Sequence, residues 1–237
     1  MNNNGILMVA FGEQYDNFAA HCAVYSRKIT NIPFCIISNL EKKHPLWQSV
    51  ENCQFITLNL PQDENRAVKT SMIKYTPFEK TLYLDCDAII QRPGIEKTFD
   101  LIPDDGIMLN IYGRWCEKSK IPAGYRKAFI LSGAAFPINI YYGALCGFTK
   151  SDKAIDFFTL WHAYWQQNGR GREMPALACA AKNSGITIRE LSNKDKIFTW
   201  LRRPDAVVQH EFGHHIARLV GCPEFRAYKP FDHRGRK

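Results

Sequence analysis

The 237-residue sequence lacks any C-x-x-C pair, although it contains eight cysteines. Without such pairs we expect neither a disulfide framework nor a zinc ribbon. Most of the cysteines lie inside short apolar runs such as "PFCII" and "ALCGF", which is typical of small buried thiols in a reducing compartment. The cysteine pattern therefore predicts free structural thiols and a cytoplasmic protein.

Long hydrophobic runs are also missing. No stretch approaches the roughly 20 consecutive apolar residues that a membrane-spanning helix needs. The opening residues, MNNNGILMVAFGEQ, have no basic segment of the kind that begins a signal peptide. Internal repeats, a P-loop and a G-x-G-x-x-G pattern are absent as well, so the common phosphate-cradling glycine loops are not expected.

Acidic residues are fewer than basic ones: the sequence has 23 aspartates and glutamates and 31 lysines and arginines, so its formal net charge is +8. Such a charge is compatible with a polyanionic partner, which includes nucleic acid, an anionic membrane surface and phosphorylated small molecules. A solvated basic surface without a partner explains it equally well. Charge alone does not choose among these alternatives.

What the sequence does contain is an alternation of short apolar runs and helical patterns. "GILMVAF", "PFCIISN", "CQFITLNL" and "TLYLDCDAII" read as buried strands, with amphipathic helices between them. This order predicts an α/β fold with a mostly parallel, mixed sheet flanked by helices. We expect a single domain over 1–237, with halves at 1–90 and 91–213 and a basic tail at 214–237.

The segment "FEKTLYLDCDAII" delivers two aspartates, Asp85 and Asp87, where a buried strand ends. Residues i and i+2 of a strand point to the same side, so both carboxylates can meet one ligand. Two carboxylates at such a short distance repel each other unless a cation lies between them. A hard divalent ion such as Mn²⁺ or Mg²⁺ prefers oxygen ligands of this kind. A surface turn with two capping aspartates is the alternative interpretation.

"TPFEKTLYLDCDAII" resembles the D-x-D signature of nucleotide-sugar glycosyltransferases with the GT-A fold, particularly the glycogenin-like and lipopolysaccharide-transferase group. Four further segments resemble that group in order and spacing. Among them, "NIYYGALCGFTKSD" has Tyr142 where a small residue is expected, and the family's lysine-proline-tryptophan after the last motif is missing. The four segments are "NRAVKTSMIKYTPF", "NIYYGALCGFTKSDKAIDFFTLW", "REMPALACAAKNSGITIREL" and "DAVVQHEFG".

The resemblance implies transfer of a sugar from a nucleotide diphosphate sugar, with UDP as the expected nucleotide, to an acceptor hydroxyl. Residues 1–90 would bind the donor and residues 91–213 the acceptor. It implies Asp85, Asp87 and His210 as metal ligands. Glu173 would act as a base or as a ligand of a sugar hydroxyl; a helix N-terminal glutamate stabilised by the helix dipole is the alternative. The remaining donor contacts that it implies are Ala10, Phe11, Tyr15, Arg66, Lys69, Gly143 and Gly213.

The segment "HEFGH" at residues 210–214 also fits H-E-x-x-H, a zinc-peptidase motif that requires both histidines one turn apart on a helix. Val207 and Val208 precede His210 and favour a strand. We therefore expect a strand that ends at His210, and the peptidase interpretation becomes a remote alternative.

The chemical class of the acceptor is the property that the sequence indicates least directly. DNA with hydroxymethylated pyrimidines is one candidate, because basic residues supply phosphate contacts and aromatic residues can stack on a flipped base. A glycolipid or lipopolysaccharide is another, and a protein or a small molecule is a third. A non-enzymatic nucleic-acid-binding module is a separate interpretation of the whole chain. The aromatic residues considered are Tyr112, Trp115, Tyr125, Phe129 and Phe136.

Overall fold

The computed structural model describes residues 3–117, 121, 123–199, 203–210 and 214–222. Its strands are β1 (Asn4–Val9), β2 (Phe34–Ser38), β3 (Cys53–Thr57), β4 (Lys80–Leu84), β5 (Ala88–Ile90), β6 (Gly106–Trp115), β7 (Ile138–Thr149), β8 (Thr187–Leu191), β9 (Phe198–Thr199) and β10 (Val208–His210). Its helices are α1 (Glu13–Arg27), α2 (Asn65–Thr70), α3 (Ile95–Thr98), α4 (Ala123–Ser132), α5 (Asp152–Gln167), α6 (Met174–Asn183) and α7 (His214–Leu219).

Seven of these strands form one sheet in the order β3-β2-β1-β4-β7-β6-β8. The pairs β1 with β2, β2 with β3, β1 with β4 and β6 with β8 are parallel, whereas β7 runs antiparallel to both β4 and β6. The predicted mixed, mostly parallel sheet is therefore confirmed. Because β4 pairs with β7, the sheet joins the two halves that the sequence suggested.

Helices cover both faces of the sheet, and this explains why its strands are apolar at nearly every position. On one face α1 packs on residues that include Ile6, Met8 and Leu82. On the other face α5 and α6 pack on Leu7 and Val9 and on neighbouring strands. Alternate residues of β1 thus belong to opposite cores, as the two-residue period of a strand requires.

The segment predicted as one strand, "TLYLDCDAII", is divided into β4 and β5 by a turn at Asp85–Asp87. The amide of Ala88 donates to the carbonyl of Asp85 at 3.0 Å, which closes the turn. After it, β5 leaves the large sheet and joins a second sheet in the order β5-β10-β9. The prediction that a buried strand ends at the two aspartates is confirmed, whereas the interpretation of the whole segment as one strand was wrong, because the chain turns at the two carboxylates.

Helix α4 was not expected from the sequence. Its inner face, which includes Phe129, packs with Trp115 of β6 and Phe136 over a small separate core. The cysteine prediction is confirmed for all eight residues, which are free; six of them are buried, while Cys53 is partly buried and Cys116 is exposed. Within the described part of the chain, no helix combines the length and the apolar composition needed to cross a bilayer.

Candidate metal and donor site

Asp85, Asp87 and His210 lie together at the carboxyl end of β4. Each offers one ligand atom, and these atoms all lie within 4.8 Å of one another. Nε2 of His210 is 2.9 Å from Oδ1 of Asp87 and 3.9 Å from Oδ2 of Asp85. The His210 side chain is 4 % exposed, whereas the carboxylates are 25 % and 23 % exposed. The cluster is therefore closed on the imidazole side and open to solvent on the carboxylate side.

Pairing of β5 with β10 brings His210 to this position. The two strands are antiparallel, and His210 lies directly opposite Ala88, the residue after Asp87. Val208, two residues before the histidine, is fully buried opposite Ile90 and fixes the register. A residue more than 120 positions away in the sequence is thereby placed against the D-x-D turn.

The three side chains fit a divalent cation. Two carboxylates and an imidazole, converging with their ligand atoms in one small volume, are donors that suit Mn²⁺ or Mg²⁺. Burial lowers the pKa of His210, but the charges of Asp87 and Asp85 and a hydrogen bond to Asp87 raise it, and the net pKa is higher than usual. The two carboxylates thus give the cluster a negative potential, which favours a bound positive charge.

Lys69 of α2 lies beside the candidate metal ligands and binds two carboxylates. Its Nζ is 2.8 Å from Oδ1 of Asp85 and 2.8 Å from Oε1 of Glu173, and the side chain is only 8 % exposed. Burial lowers the pKa of Lys69, but the two carboxylates more than offset this and raise it above its usual value. Lys69 is therefore a permanent cation that is already paired, in contrast to the open donor expected from the sequence.

Glu173 lies at the N-terminus of α6, but its side chain does not cap the helix. Its Oε1 is bound by Lys69, and Oε2 is 3.7 Å from Nε of Arg66. Burial raises the pKa of Glu173, while the charge of Lys69, its hydrogen bond and the charge of Arg66 lower it to a net value of about 2. Glu173 is thus ionised throughout the physiological pH range.

Two more of the expected residues border this network. Arg66 is 49 % exposed, so its guanidinium faces the opening of the site. Gly143 of β7 lies under the ion pair: a Cβ there would be 3.2 Å from Oε1 of Glu173 and 3.4 Å from Nζ of Lys69. A side chain at this position would therefore require the pair to shift by a few tenths of an ångström.

The residues expected to hold the nucleotide base are less exposed to solvent than Arg66. Ala10 and Phe11, which follow β1, are 0 % exposed and belong to the two cores. Tyr15 in the first turn of α1 is partly buried against the core that includes Ala10. Gly213 lies outside the described residues.

The structure argues against a zinc-peptidase helix at "HEFGH". His210 ends strand β10, where it pairs with β5, and α7 begins only at His214. The two histidines therefore do not share a helix, which the peptidase motif requires.

Three residues of the site were not predicted to take part. Tyr83 donates its hydroxyl to Oδ1 of Asp85 at 2.5 Å, and the i, i+2 spacing in β4 could have indicated this contact. Tyr142 packs its ring against His210, with centroids 5.7 Å apart. Asn110 of β6 is 1 % exposed and lies opposite Tyr142, and neither polar atom of its amide has a partner among the described residues.

Asn110 is a polar residue inside the apolar run "GIMLNI", which is the sequence pattern that could have drawn attention to it. Registered neighbours on adjacent strands project to the same face of a sheet, so Asn110 lies on the face that carries Tyr142. A buried amide without a protein partner is costly. A polar ligand beside Tyr142 would remove this cost.

The aromatic residues considered for base stacking are mostly occupied. Trp115 contacts Tyr125 and Phe129 at centroid distances of 5.5 and 5.6 Å, and Phe129 contacts Phe136 at 6.0 Å. Tyr112 is 52 % exposed and packs on Tyr142, with ring centroids 5.3 Å apart. Four of the five rings therefore form the core beneath α4.

Two solved structures with similar folds have been found. The galactosyltransferase LgtC, in complex with donor and acceptor sugar analogues, matches with a TM-score of 0.60 over 92 % of this chain and 95 % of that chain. An active-site mutant of LgtC matches with a TM-score of 0.61 over 98 % and 99 %. The chain has the GT-A fold. Both structures are 14 % identical to it in sequence, so the likeness establishes the fold. No family model and no curated protein matches the sequence.

Proposed function

We propose that the protein is a metal-dependent glycosyltransferase that moves a sugar from a nucleotide diphosphate sugar, with UDP as the first nucleotide to test, to an acceptor hydroxyl. The observation that carries the proposal is the Asp85–Asp87–His210 cluster at the carboxyl end of β4 in a GT-A fold. Ligands of open α/β sheets collect at this edge.

In the proposed reaction the bond between the anomeric carbon and the diphosphate oxygen breaks, and the acceptor oxygen forms the new bond to that carbon. A cation held by Asp85, Asp87 and His210 would supply Lewis-acid neutralisation of the leaving diphosphate. Arg66, which is half exposed beside the cluster, donates charge-assisted hydrogen bonds to the same group.

Glu173 is assigned a positioning role, because a carboxylate with a pKa of about 2 is a weak base. Its charge keeps Lys69 directed at Asp85. The proton that the acceptor hydroxyl loses passes instead to an oxygen of the departing diphosphate, which is the stronger base.

Asn110 is assigned to a hydroxyl of the substrate. Its amide lies on the face of Tyr142, which contacts His210, and it has no partner in the described protein. An amide both donates and accepts hydrogen bonds and therefore suits a sugar hydroxyl, which does the same.

For the acceptor we propose a glycolipid, such as a lipopolysaccharide. The stacking residues that would support DNA are mostly packed beneath α4, which leaves Tyr112 as the exposed ring. DNA with hydroxymethylated pyrimidines remains the second candidate because of the net charge of +8.

Thermal unfolding with a panel of nucleotide sugars, with and without Mn²⁺, tests the proposal. We expect one donor to raise the unfolding midpoint in a Mn²⁺-dependent way and Asp87→Ala to abolish the rise. Asp156→Ala, an exposed aspartate on α5, is the matched control and should behave as wild type. Because the cation contributes several kcal/mol, transfer by Asp87→Ala should fall at least about a hundredfold.

Absence of a Mn²⁺-dependent shift with every donor would contradict the proposal. If duplex DNA then bound the wild type and Asp87→Ala equally, the chain would be a nucleic-acid-binding module in which the D-x-D turn is structural.

A further inference from the structure

Helix α4 presents an exposed face whose composition is unusual for a solvated surface. The exposed positions are Arg126, Lys127, Ile130 and Leu131, which are spaced i, i+1, i+4 and i+5 and so lie on one side of the helix. Ile130 is 58 % exposed and Leu131 is 49 % exposed. Among the large hydrophobic side chains that the structure describes, Ile130 is the most exposed, and the two form an adjacent exposed pair.

The opposite face of α4 accounts for the position of the helix. Ala128 and Phe129 are buried in the small core with Trp115, so the apolar pair is not needed to attach α4 to the protein. Ile130 and Leu131 are not members of the core that anchors the helix. Exposed apolar pairs of this kind mark an interaction surface when polar residues border them.

The stretch of sequence that contains α4 carries charge of one sign. Between Glu117 and Asp152 the sequence has no acidic residue, whereas it has five basic ones, two of which are Arg126 and Lys127. On the helix, each cation precedes an aliphatic residue by four positions, so the two kinds of side chain lie one turn apart. Lys182 is a further exposed cation near the end of α4, because the amide of its neighbour Asn183 donates to the carbonyl of Ser132 at 2.9 Å.

We propose that this face of α4 docks on the surface of a lipid bilayer that contains anionic lipids. Aliphatic side chains that enter the acyl boundary, beside cations that meet lipid phosphates, are the pattern by which a helix binds a membrane surface. DNA would use the cations but would leave Ile130 and Leu131 in water. A specific protein interface buries about 800 Å² per partner, of which two side chains supply a small part.

Docking at α4 would bring the candidate site to the membrane. Tyr125 of α4 accepts a hydrogen bond from Arg172, the residue before Glu173, at 3.2 Å. Trp115, which packs on α4, lies three residues beyond Tyr112 on β6, or about 10 Å along a strand. Tyr112 packs on Tyr142, the ring that contacts His210. Docking through α4 would therefore bring a lipid-linked acceptor to the candidate site. This last step depends on the proposed function.

Flotation with phosphatidylcholine vesicles, with and without phosphatidylglycerol, tests the docking. We expect the full-length protein to float only with the anionic vesicles. The double variant Ile130→Asp/Leu131→Asp should weaken this binding at least about tenfold, and Lys127→Gln about fivefold. Ile155→Asp is the matched control: Ile155 is 41 % exposed on α5, and its replacement should leave vesicle binding unchanged.

The docking proposal is wrong if the wild type ignores anionic vesicles, floats equally with both kinds, or floats equally after Ile130→Asp/Leu131→Asp. It is also overturned if that double variant dissociates a lipid-free dimer in sedimentation velocity, which would make the face a contact between copies. Salt-sensitive DNA binding that Lys127→Gln weakens, without any vesicle binding, would assign the face to nucleic acid.

The two proposals fail separately. Vesicle binding should be unaffected by Asp87→Ala, and Mn²⁺-dependent stabilisation by a donor should be unaffected by Ile130→Asp/Leu131→Asp. If the wild type binds anionic vesicles but no nucleotide-sugar donor, the proposed function alone is refuted.

Discussion

At the scale of single residues, the site depends on how its charges are paired. Lys69 is buried between Asp85 and Glu173, at 2.8 Å from each. Breaking a buried pair leaves an uncompensated charge in a poorly solvated environment, which costs more than the pair contributes when intact. Lys69 therefore acts through the carboxylates that it positions.

Replacement of Lys69 tests this role. We expect Lys69→Met to lower the free energy of unfolding by about 3–5 kcal/mol, because two carboxylates lose their common partner. Urea unfolding measures the change. Lys153→Met is the control, since Lys153 pairs with Asp105 at an exposed position, and little change in stability is expected.

A double-variant cycle makes the test specific to the ion pair. Glu173→Gln removes one of the two stranded carboxylates, so Lys69→Met/Glu173→Gln should be less destabilised than the sum of the single variants. Additive effects would show that Lys69 and Glu173 contribute independently.

A second residue-scale test concerns Asn110, whose buried amide has no partner within the described chain. We expect Asn110→Ala to reduce transfer by about tenfold or more, because one hydrogen bond to the substrate is worth about 0.5–1.5 kcal/mol and an unsatisfied hydroxyl adds to the loss. Stability should change little or increase. Steady-state kinetics and thermal unfolding on the same variant measure both quantities.

One result for Asn110→Ala would contradict the assignment of Asn110 to a substrate hydroxyl. A variant that transfers sugar at the wild-type rate would show that no substrate hydroxyl meets this amide.

At the scale of elements, strands β10 and β7 position the charged groups of the site. Strand β10 pairs with β5 and carries His210 to the D-x-D turn. Strand β7 passes beneath the Lys69–Glu173 pair and has Gly143 at the point of contact. Both strands hold groups that come from distant parts of the sequence.

Insertion of a methyl group on β7 tests the close approach. In Gly143→Ala the new Cβ would lie 3.2 Å from Oε1 of Glu173, so the ion pair has to move. We expect a loss of about 1–3 kcal/mol in stability together with weaker donor-dependent stabilisation. The control is Gly113→Ala on β6, where nothing lies within 4 Å of the new Cβ.

Equal behaviour of these two alanine variants would contradict the packing argument. The measurement is the unfolding midpoint with and without Mn²⁺ and the donor identified in the panel.

At the scale of the whole molecule, the cluster joins parts of the chain that would otherwise be separate, since Asp85 ends a strand of the large sheet and His210 belongs to the second sheet. A cation bound to all three ligands therefore stabilises the folded state against the unfolded one. At a concentration of 100 times its Kd, a ligand contributes about 2.7 kcal/mol.

Removal of the metal tests this link. We expect Mn²⁺ at that concentration to raise the unfolding midpoint by about 5–11 °C for a chain of this size, and EDTA to reverse the rise. His210→Ala should abolish the effect, while His21→Ala on α1 should retain it. An unchanged midpoint in the wild type would mean that the cluster binds no Mn²⁺.

The periodicity of the sequence predicted the larger part of the fold. The apolar runs around Leu7, Ile36 and Leu82 form parallel strands, because segments buried on both faces carry little polar sequence. The spacing of Asp85 and Asp87 predicted that both carboxylates meet one ligand, whereas His210 was added to them through the resemblance to a family. Helix α4 was missed because its segment, "AGYRKAFILS", exposes two of its aliphatic residues.

By itself, the sequence determined most of the order of strands and helices, the free cysteines, the carboxylates of Asp85 and Asp87 and the excess of positive charge, since these follow from local pattern and composition. Only the tertiary structure decided that the chain turns between the carboxylates, that Lys69 is already paired, that Gly143 admits this pair and that Asn110 is buried without a partner. These facts depend on contacts between strands and helices far apart in the sequence. Local periodicity carries no information about such contacts, because it reports which face of an element is apolar and not what lies against that face.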